Sequence, residues 1–222
     1  IRLEQRLSPY VTMSLSGEML KTNGRYKFRY KRRNLDGTSA YDTTAIRKNS
    51  DVEAYRVETA FFGRVQDGGW YAKAYYYDSD RGAPGAIVAN KFYDGFRQKD
   101  KNFFVQGDFT KDFSSRYHFQ LKGKFAYDKM NYLARDSTIV LGESVTDGAQ
   151  FDDTYYQQEL YLSTVNMYTI TDWWDVSGSV DFQWNKLNAS RDGIATLFAY
   201  PERITLLGSL ATTFNLGKVK LM

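Results

Sequence analysis

One alternation, repeated along the whole chain, restricts its fold more than any other feature. In residues 116–127, RYHFQLKGKFAY, Tyr117, Phe119, Leu121, Gly123, Phe125 and Tyr127 alternate with His118, Gln120, Lys122 and Lys124. Side chains of an extended chain point alternately to opposite sides. The stretch is therefore a strand with one apolar face and one polar, cationic face. Any half-buried strand alternates in this way, so the argument rests on repetition.

About ten such segments follow one another, near residues 1–7, 10–20, 52–64, 70–77, 102–110, 116–129, 154–168, 174–185, 203–214 and 218–222. The eighth is nearly as regular as the sixth: Trp174, Val176, Gly178, Val180, Phe182 and Trp184 oppose Asp175, Ser177, Ser179, Asp181 and Gln183. The seventh is ambiguous, and Leu160 and Leu162 are assigned to its apolar side. Short turns follow the odd-numbered segments, at Ser8-Pro9, Asp67-Gly68, 112–115, 169–172 and 215–217. Asp-Gly is a hairpin signal and Pro presets a turn dihedral. Long polar stretches follow the even-numbered segments, at 21–51, 78–100, 130–153 and 188–200. Loops beyond about 12–15 residues are uncommon in compact soluble domains. Several at one end of an up-and-down meander match the layout of outer-membrane barrels.

Composition agrees without deciding. Only 3 of 222 residues are Pro, which suits strands, and there is no Cys, so no disulfide or thiolate metal site exists. The 30 basic and 26 acidic residues are interspersed, so a nucleic-acid groove is not expected. No apolar run is long enough for a transmembrane helix. Both ends of the chain fall inside alternating segments, so the expectation is a section of a longer protein or a mature chain trimmed at each end.

The direction of the apolar faces separates two architectures. A soluble barrel points them inward; a large membrane barrel points them at lipid and lines its lumen with the polar face. Trp174 and Trp184, Tyr117 and Tyr127, and Trp70 and Tyr76 lie near opposite ends of apolar faces. Interfacial girdles fall at such positions, which favours the membrane barrel.

Two longer phrases carry a family likeness. Asp78-Ser79-Asp80-Arg81-Gly82-Ala83-Pro84-Gly85-Ala86-Ile87-Val88 and, further on, Asp100-Lys101-Asn102-Phe103-Phe104-Val105-Gln106-Gly107 resemble the barrel of TonB-dependent outer-membrane receptors of Bacteroidetes-type bacteria. The branch most resembled is that of the vitamin B12 (cobalamin) receptor. Residues 23–30, NGRYKFRY, and 181–185, DFQWN, add to the likeness. The resemblance implies a barrel of about 22 strands around an N-terminal plug. It implies ligand capture at extracellular loops, import driven by the inner-membrane TonB complex through the plug, and a surface lipoprotein as a further partner. Residues 1–222 would then be one section of the barrel wall, embedded in outer-membrane lipid, without plug or Ton box.

The candidate ligand contacts are the loop residues Tyr26, Phe28, Tyr30, Arg81, Phe92, Tyr93 and Tyr132, which could equally pack among the loops. Arg56, Glu58, Lys122, Lys124, Asp175 and Asp181 are expected to face a plug or to pair with one another along a hydrated wall. The acidic loop residues Asp78, Asp80, Asp147, Asp152 and Asp153 have no EF-hand spacing. His118 is the only histidine; a hydrolase would need a nucleophile and an orienting group beside it. No catalytic residue, metal or cofactor is assigned. The alternatives to a receptor are a small self-contained outer-membrane barrel with a structural or adhesive role, and a hydrolase built on His118.

Overall fold

The alternating segments become strands, and each pairs with the next across the short turns. A computed structural model of the chain describes residues 1–84, 87–88, 91–92, 95–140, 143–190, 199–217 and 219–221. For 33, 87–88, 91–92, 135–140, 143–150 and 219–221 it describes the backbone alone.

The strands are β1 (Arg2–Ser8), β2 (Val11–Thr22), β3 (Lys27–Arg33), β4 (Ser39–Ile46), β5 (Val52–Val65), β6 (Gly68–Ala83) and β7 (Ile87–Val88). They continue as β8 (Lys91–Phe92), β9 (Phe96–Ser114), β10 (Tyr117–Val140), β11 (Glu143–Thr171), β12 (Trp174–Ser190), β13 (Glu202–Leu216) and β14 (Val219–Leu221). Ten of them form one antiparallel sheet in the order β1-β2-β5-β6-β9-β10-β11-β12-β13-β14. Hairpins β3–β4 and β7–β8 stand apart as two-stranded sheets.

The long polar stretches are mostly not loops. β10 runs 24 residues and β11 runs 29, so the supposed loop at 130–153 is the outer part of one long hairpin. Arg81 and Tyr132, expected in loops, lie on β6 and β10. The stretch at 21–51 contains β3 and β4. The hairpin between β5 and β6 turns at Asp67, which itself takes the left-handed conformation at φ 56°.

Register keeps the two faces continuous across the sheet. Along one row Tyr76, Phe103 and Tyr127 are successive cross-strand partners. Phe182 lies between Leu162 and Leu206, so the ambiguous seventh segment carries Leu160 and Leu162 on the apolar face as expected. Gly63 shows how tightly this face can close: a Cβ there would lie 2.1 Å from the Trp70 indole, which covers the glycine.

Among the described residues no second layer covers the apolar face. Val57, Val105, Leu121, Leu162, Val180, Leu206 and Leu210 are exposed. Ala54, Ser79, Ala126, Ala134, Asp153 and Ser163, which are buried, all sit on the polar face beneath longer side chains. The accessible surface is 15641 Å², whereas a compact globule of this mass exposes about 10,400 Å². The sheet is open: among the described residues β1 pairs only with β2, and β14 only with β13.

Candidate functional site

Two regions gather the chemistry: the β3–β4 hairpin, an arm set off from the main sheet, and the outer part of the polar face. In the arm Phe28 pairs with Ala45, Tyr30 with Thr43 and Arg32 with Tyr41. Period-two alternation puts Tyr26, Phe28, Tyr30 and Tyr41 on one face. Their rings follow one another at centroid distances of 6.0, 5.7 and 5.4 Å, and the Arg47 guanidinium lies 5.6 Å from the centre of Phe28. Lys27, Arg29 and Lys31 point to the other face. Arg29 donates two hydrogen bonds to Asp42, each 2.6 Å, and holds its carboxyl below the usual carboxylate range. At the tip the Asp36 carboxylate accepts the Thr38 amide at 2.9 Å, and that residue's hydroxyl and amide lower its pKa.

The arm is fastened where it leaves the sheet. Gly24 takes φ 57°, and a Cβ there would lie 1.8 Å from the Ser50 carbonyl oxygen, so only glycine fits. Ser50 Oγ donates to the Gly24 carbonyl at 2.6 Å. Asn49 donates to the Phe96 carbonyl at 2.6 Å, and Arg97 bridges Asp51 at 2.8 Å and Asp80 at 2.7 Å.

On the polar face, Arg81, Gln98 and Tyr132 are cross-strand partners in one row. Arg81 pairs with Asp100 at 3.1 Å, and Gln98 donates to the same carboxylate at 2.9 Å. Tyr132 stacks on Phe96, with planes 11° apart. Nearer the short turns, Lys73 pairs with Glu58 at 2.8 Å, Gln120 donates to Asp108 at 3.0 Å, Lys124 pairs with Glu159 at 3.4 Å, and Tyr161 donates to Asp181 at 2.9 Å. Arg56 pairs with Glu18. The expected wall residues therefore pair with neighbours across the strands, and Asp175 accepts from Thr169 at 2.7 Å.

The predicted ligand contacts thus fall into two groups. Tyr26, Phe28 and Tyr30 come together on the arm, and Arg81 and Tyr132 on the polar face. The Phe92 side chain and all of Tyr93 lie outside the described residues. Asp78 and Asp80 lie on β6 and pair with Lys101 and Arg97, and Asp152 accepts from Asn131. The Asp147 side chain is outside the described residues. Among the described residues no cluster of three His, Asp or Glu is arranged to hold a metal.

His118 Nδ1 shares a 2.6 Å hydrogen bond with Asp112 beside a cleft of about 540 Å³ that Ser114 and Ser115 also line. Among the described residues no hydroxyl hydrogen-bonds to the other ring nitrogen, so this pair lacks the activated nucleophile that hydrolysis requires. The arm's tyrosine-and-basic alternation was visible in the sequence, but Arg97, Asn49 and Asp51 were not singled out. Two polar residues around a left-handed position, beside an Asp-Val strand start, give only a weak signal.

No protein-family model matches the chain, and no curated protein matches it.

Proposed function

We propose that the chain forms part of the wall of an outer-membrane β-barrel receptor that captures a large, scarce nutrient for TonB-driven import. One observation carries the reading: the uncovered apolar face has the height and borders of a lipid-facing belt. In β10 the belt runs from Tyr117 to Tyr127, in β12 from Trp174 to Trp184 and in β13 from Ile204 to Phe214. Each covers about 34 Å along the strand, or about 26 Å at a tilt of ~40°, against a band of about 25 Å in outer-membrane barrels.

Its borders fit as well. Near the short turns stand Tyr117, Tyr168, Trp174 and Phe214, with Trp174 and Phe214 stacked at 5.8 Å. At the other border Tyr76 donates to Asp78 and Trp184 to Glu202. Charges follow at once on the same face: Lys21 with Glu53, Lys101 with Asp78, and Lys186 with Glu202. Amphipathic rings below and charges above are what a membrane–water boundary selects.

The polar face would then line a lumen and meet a plug supplied by the rest of the receptor, through which the inner-membrane TonB complex acts. The arm and the outer strand ends would project outside, where ligand and a surface lipoprotein bind. A corrinoid such as vitamin B12 is the nutrient the family resemblance favours. The open edges at β1 and β14 count against a ten-stranded barrel complete in itself.

Cell fractionation tests the reading. The protein should co-purify with outer membranes, and deleting its gene should abolish uptake of labelled cobalamin. Recovery in the soluble fraction would overturn the barrel. Outer-membrane location with unchanged cobalamin uptake would overturn the corrinoid alone.

A further inference from the structure

At the outer border of the apolar face, register sets cations opposite carboxylates. Lys21 faces Glu53, Lys101 faces Asp78 and Lys186 faces Glu202. One position breaks the pattern. Lys129 of β10 stands directly opposite Lys101 of β9, and among the described residues no other two cations are cross-strand partners. Lys101 pairs with Asp78 at 3.2 Å. Lys129 forms no ion pair among the described residues; its ammonium lies 5.4 Å from the centre of the Tyr156 ring, its partner on the other side. The row Asp78, Lys101, Lys129, Tyr156 thus holds two cations to one carboxylate. Like charges directly opposite destabilise a strand pair, and more so beside hydrocarbon, where the effective dielectric falls. The row is central, with four strands of the sheet on either side of β9 and β10, so a strand added at a free border would not reach it. Beneath it on the same face Phe103, Val105 and Phe125 are exposed.

We infer that Lys101 and Lys129 hold the head of a lipid carrying a phosphate monoester, with its acyl chains on the belt below. The two lysines are close enough to share one group, since directly opposed side chains start about 5 Å apart. A phosphate monoester carries about −1.5 to −2 charges at neutral pH, which offsets the repulsion between them. A zwitterionic head brings its own ammonium and leaves that repulsion in place. A free anion would neutralise the lysines and leave Phe103, Val105 and Phe125 uncovered; a lipid meets both needs at once. Long lysine stems suit the border, because they lie along apolar surface and carry the charge outward. The inference rests on the lipid-facing reading of the apolar face, and adds to it a site for one class of lipid.

The test is native mass spectrometry of the full chain in neutral detergent, titrated with phosphatidic acid, phosphatidylglycerol and phosphatidylcholine of the same acyl chains. Phosphatidic acid should bind roughly tenfold more tightly than phosphatidylcholine. Lys129→Gln should weaken phosphatidic acid roughly fivefold, the share of one cation at a membrane surface, and leave phosphatidylcholine unchanged. Lys129→Asp should abolish the preference and, by giving Lys101 a second facing carboxylate, raise the thermal midpoint of the lipid-free protein. Lys122→Gln with Lys124→Gln, on the polar face, should change neither affinity. Equal binding of the three lipids, or an equal loss in the polar-face variant, would overturn the site. Phosphatidylglycerol binding as tightly as phosphatidic acid would overturn the monoester, and equal affinity for inorganic phosphate would overturn the lipid. The belt is read separately, in vesicles of bromine-labelled phosphatidylcholine, because Trp174 and Trp184 stand at its borders. Absence of tryptophan quenching there would overturn the lipid-facing reading itself; quenching without a preference for phosphatidic acid would overturn the lipid site alone.

Discussion

Arg97 holds the root of the arm through contacts that no local pattern announces. Its guanidinium donates to Asp51 and Asp80 at 2.8 and 2.7 Å and reaches Asn49 Oδ1 at 3.4 Å. Asn49, at φ 53°, anchors in turn to the Phe96 carbonyl. Arg97→Ala should therefore free residues 47–51, seen as faster amide exchange there, at a cost of about 1–2 kcal/mol. That figure allows for solvent screening of a partly exposed network. Arg97→Lys keeps the charge but loses the fork, so an intermediate effect is expected. Acid should act at the same point. Hydrogen bonding from Arg97 lowers the Asp51 pKa below its ordinary 3.8. A carboxylate depressed in the folded state stabilises fully above the unfolded value and loses that contribution as pH falls through the folded one. The arm root should thus exchange at an even rate across neutral pH and loosen only below about pH 4; loosening near pH 6 would place the clamp elsewhere. On the apolar face, Gly63→Ala puts a methyl into the Trp70 indole. The ring must move, at about 1–3 kcal/mol, and a shift in tryptophan emission should report it.

At the scale of the strands, what the sequence revealed depended on which environments differ across a strand. The belt residues were legible because one face is apolar and the other polar, as in residues 117–127. Above Tyr127 the same face of β10 turns to Lys129 and Asn131. Met130, Tyr132 and Ala134 fall on the opposite face, so the apolar residues change sides and the single apolar stripe that marks a belt strand ends there. For that reason the outer halves of β10 and β11 read as loops. The arm read as part of a long loop, although Asp36-Gly37 between two alternating runs is the hairpin signal that could have found it; Gly37 takes φ 84° in that turn. The grouping of Tyr26, Phe28 and Tyr30 was readable, while Arg81 and Tyr132 meet only through register across three strands. The two faces should also respond oppositely to substitution. With the protein in lipid vesicles, Leu121→Lys should cost about 2–4 kcal/mol in denaturant unfolding, the penalty for a cation near mid-bilayer. Lys122→Leu, next to it on the polar face, should cost less than about 1 kcal/mol, because its nearest carboxylate, on Asp108, is 4.0 Å away. Equal costs at the two positions would mean that neither face meets hydrocarbon.

Among the described residues the sheet has two free borders, and this governs how the isolated chain should behave. β1 has seven residues and one neighbour. β14 pairs with β13 only from Phe214 to Leu216, which leaves most of β13 with β12 alone. Along each border every second residue turns its amide and carbonyl away from the sheet. In water such a row invites pairing with another strand, and in hydrocarbon each unpaired group costs several kcal/mol. Neither border carries a proline within β1 or β13, so every residue of these strands keeps its ladder donor. The isolated 222-residue chain in detergent should therefore associate edge to edge and sediment as a distribution of oligomers. Its outward amides in β1 and β13 should exchange slowly when associated and quickly on dilution. With barrel-completing strands joined to both borders, the same amides should stay protected at any dilution. A monodisperse monomer whose β1 and β13 amides all resist exchange would mean that the two borders find each other, and the chain would then be a closed ten-stranded barrel rather than a section of a larger wall.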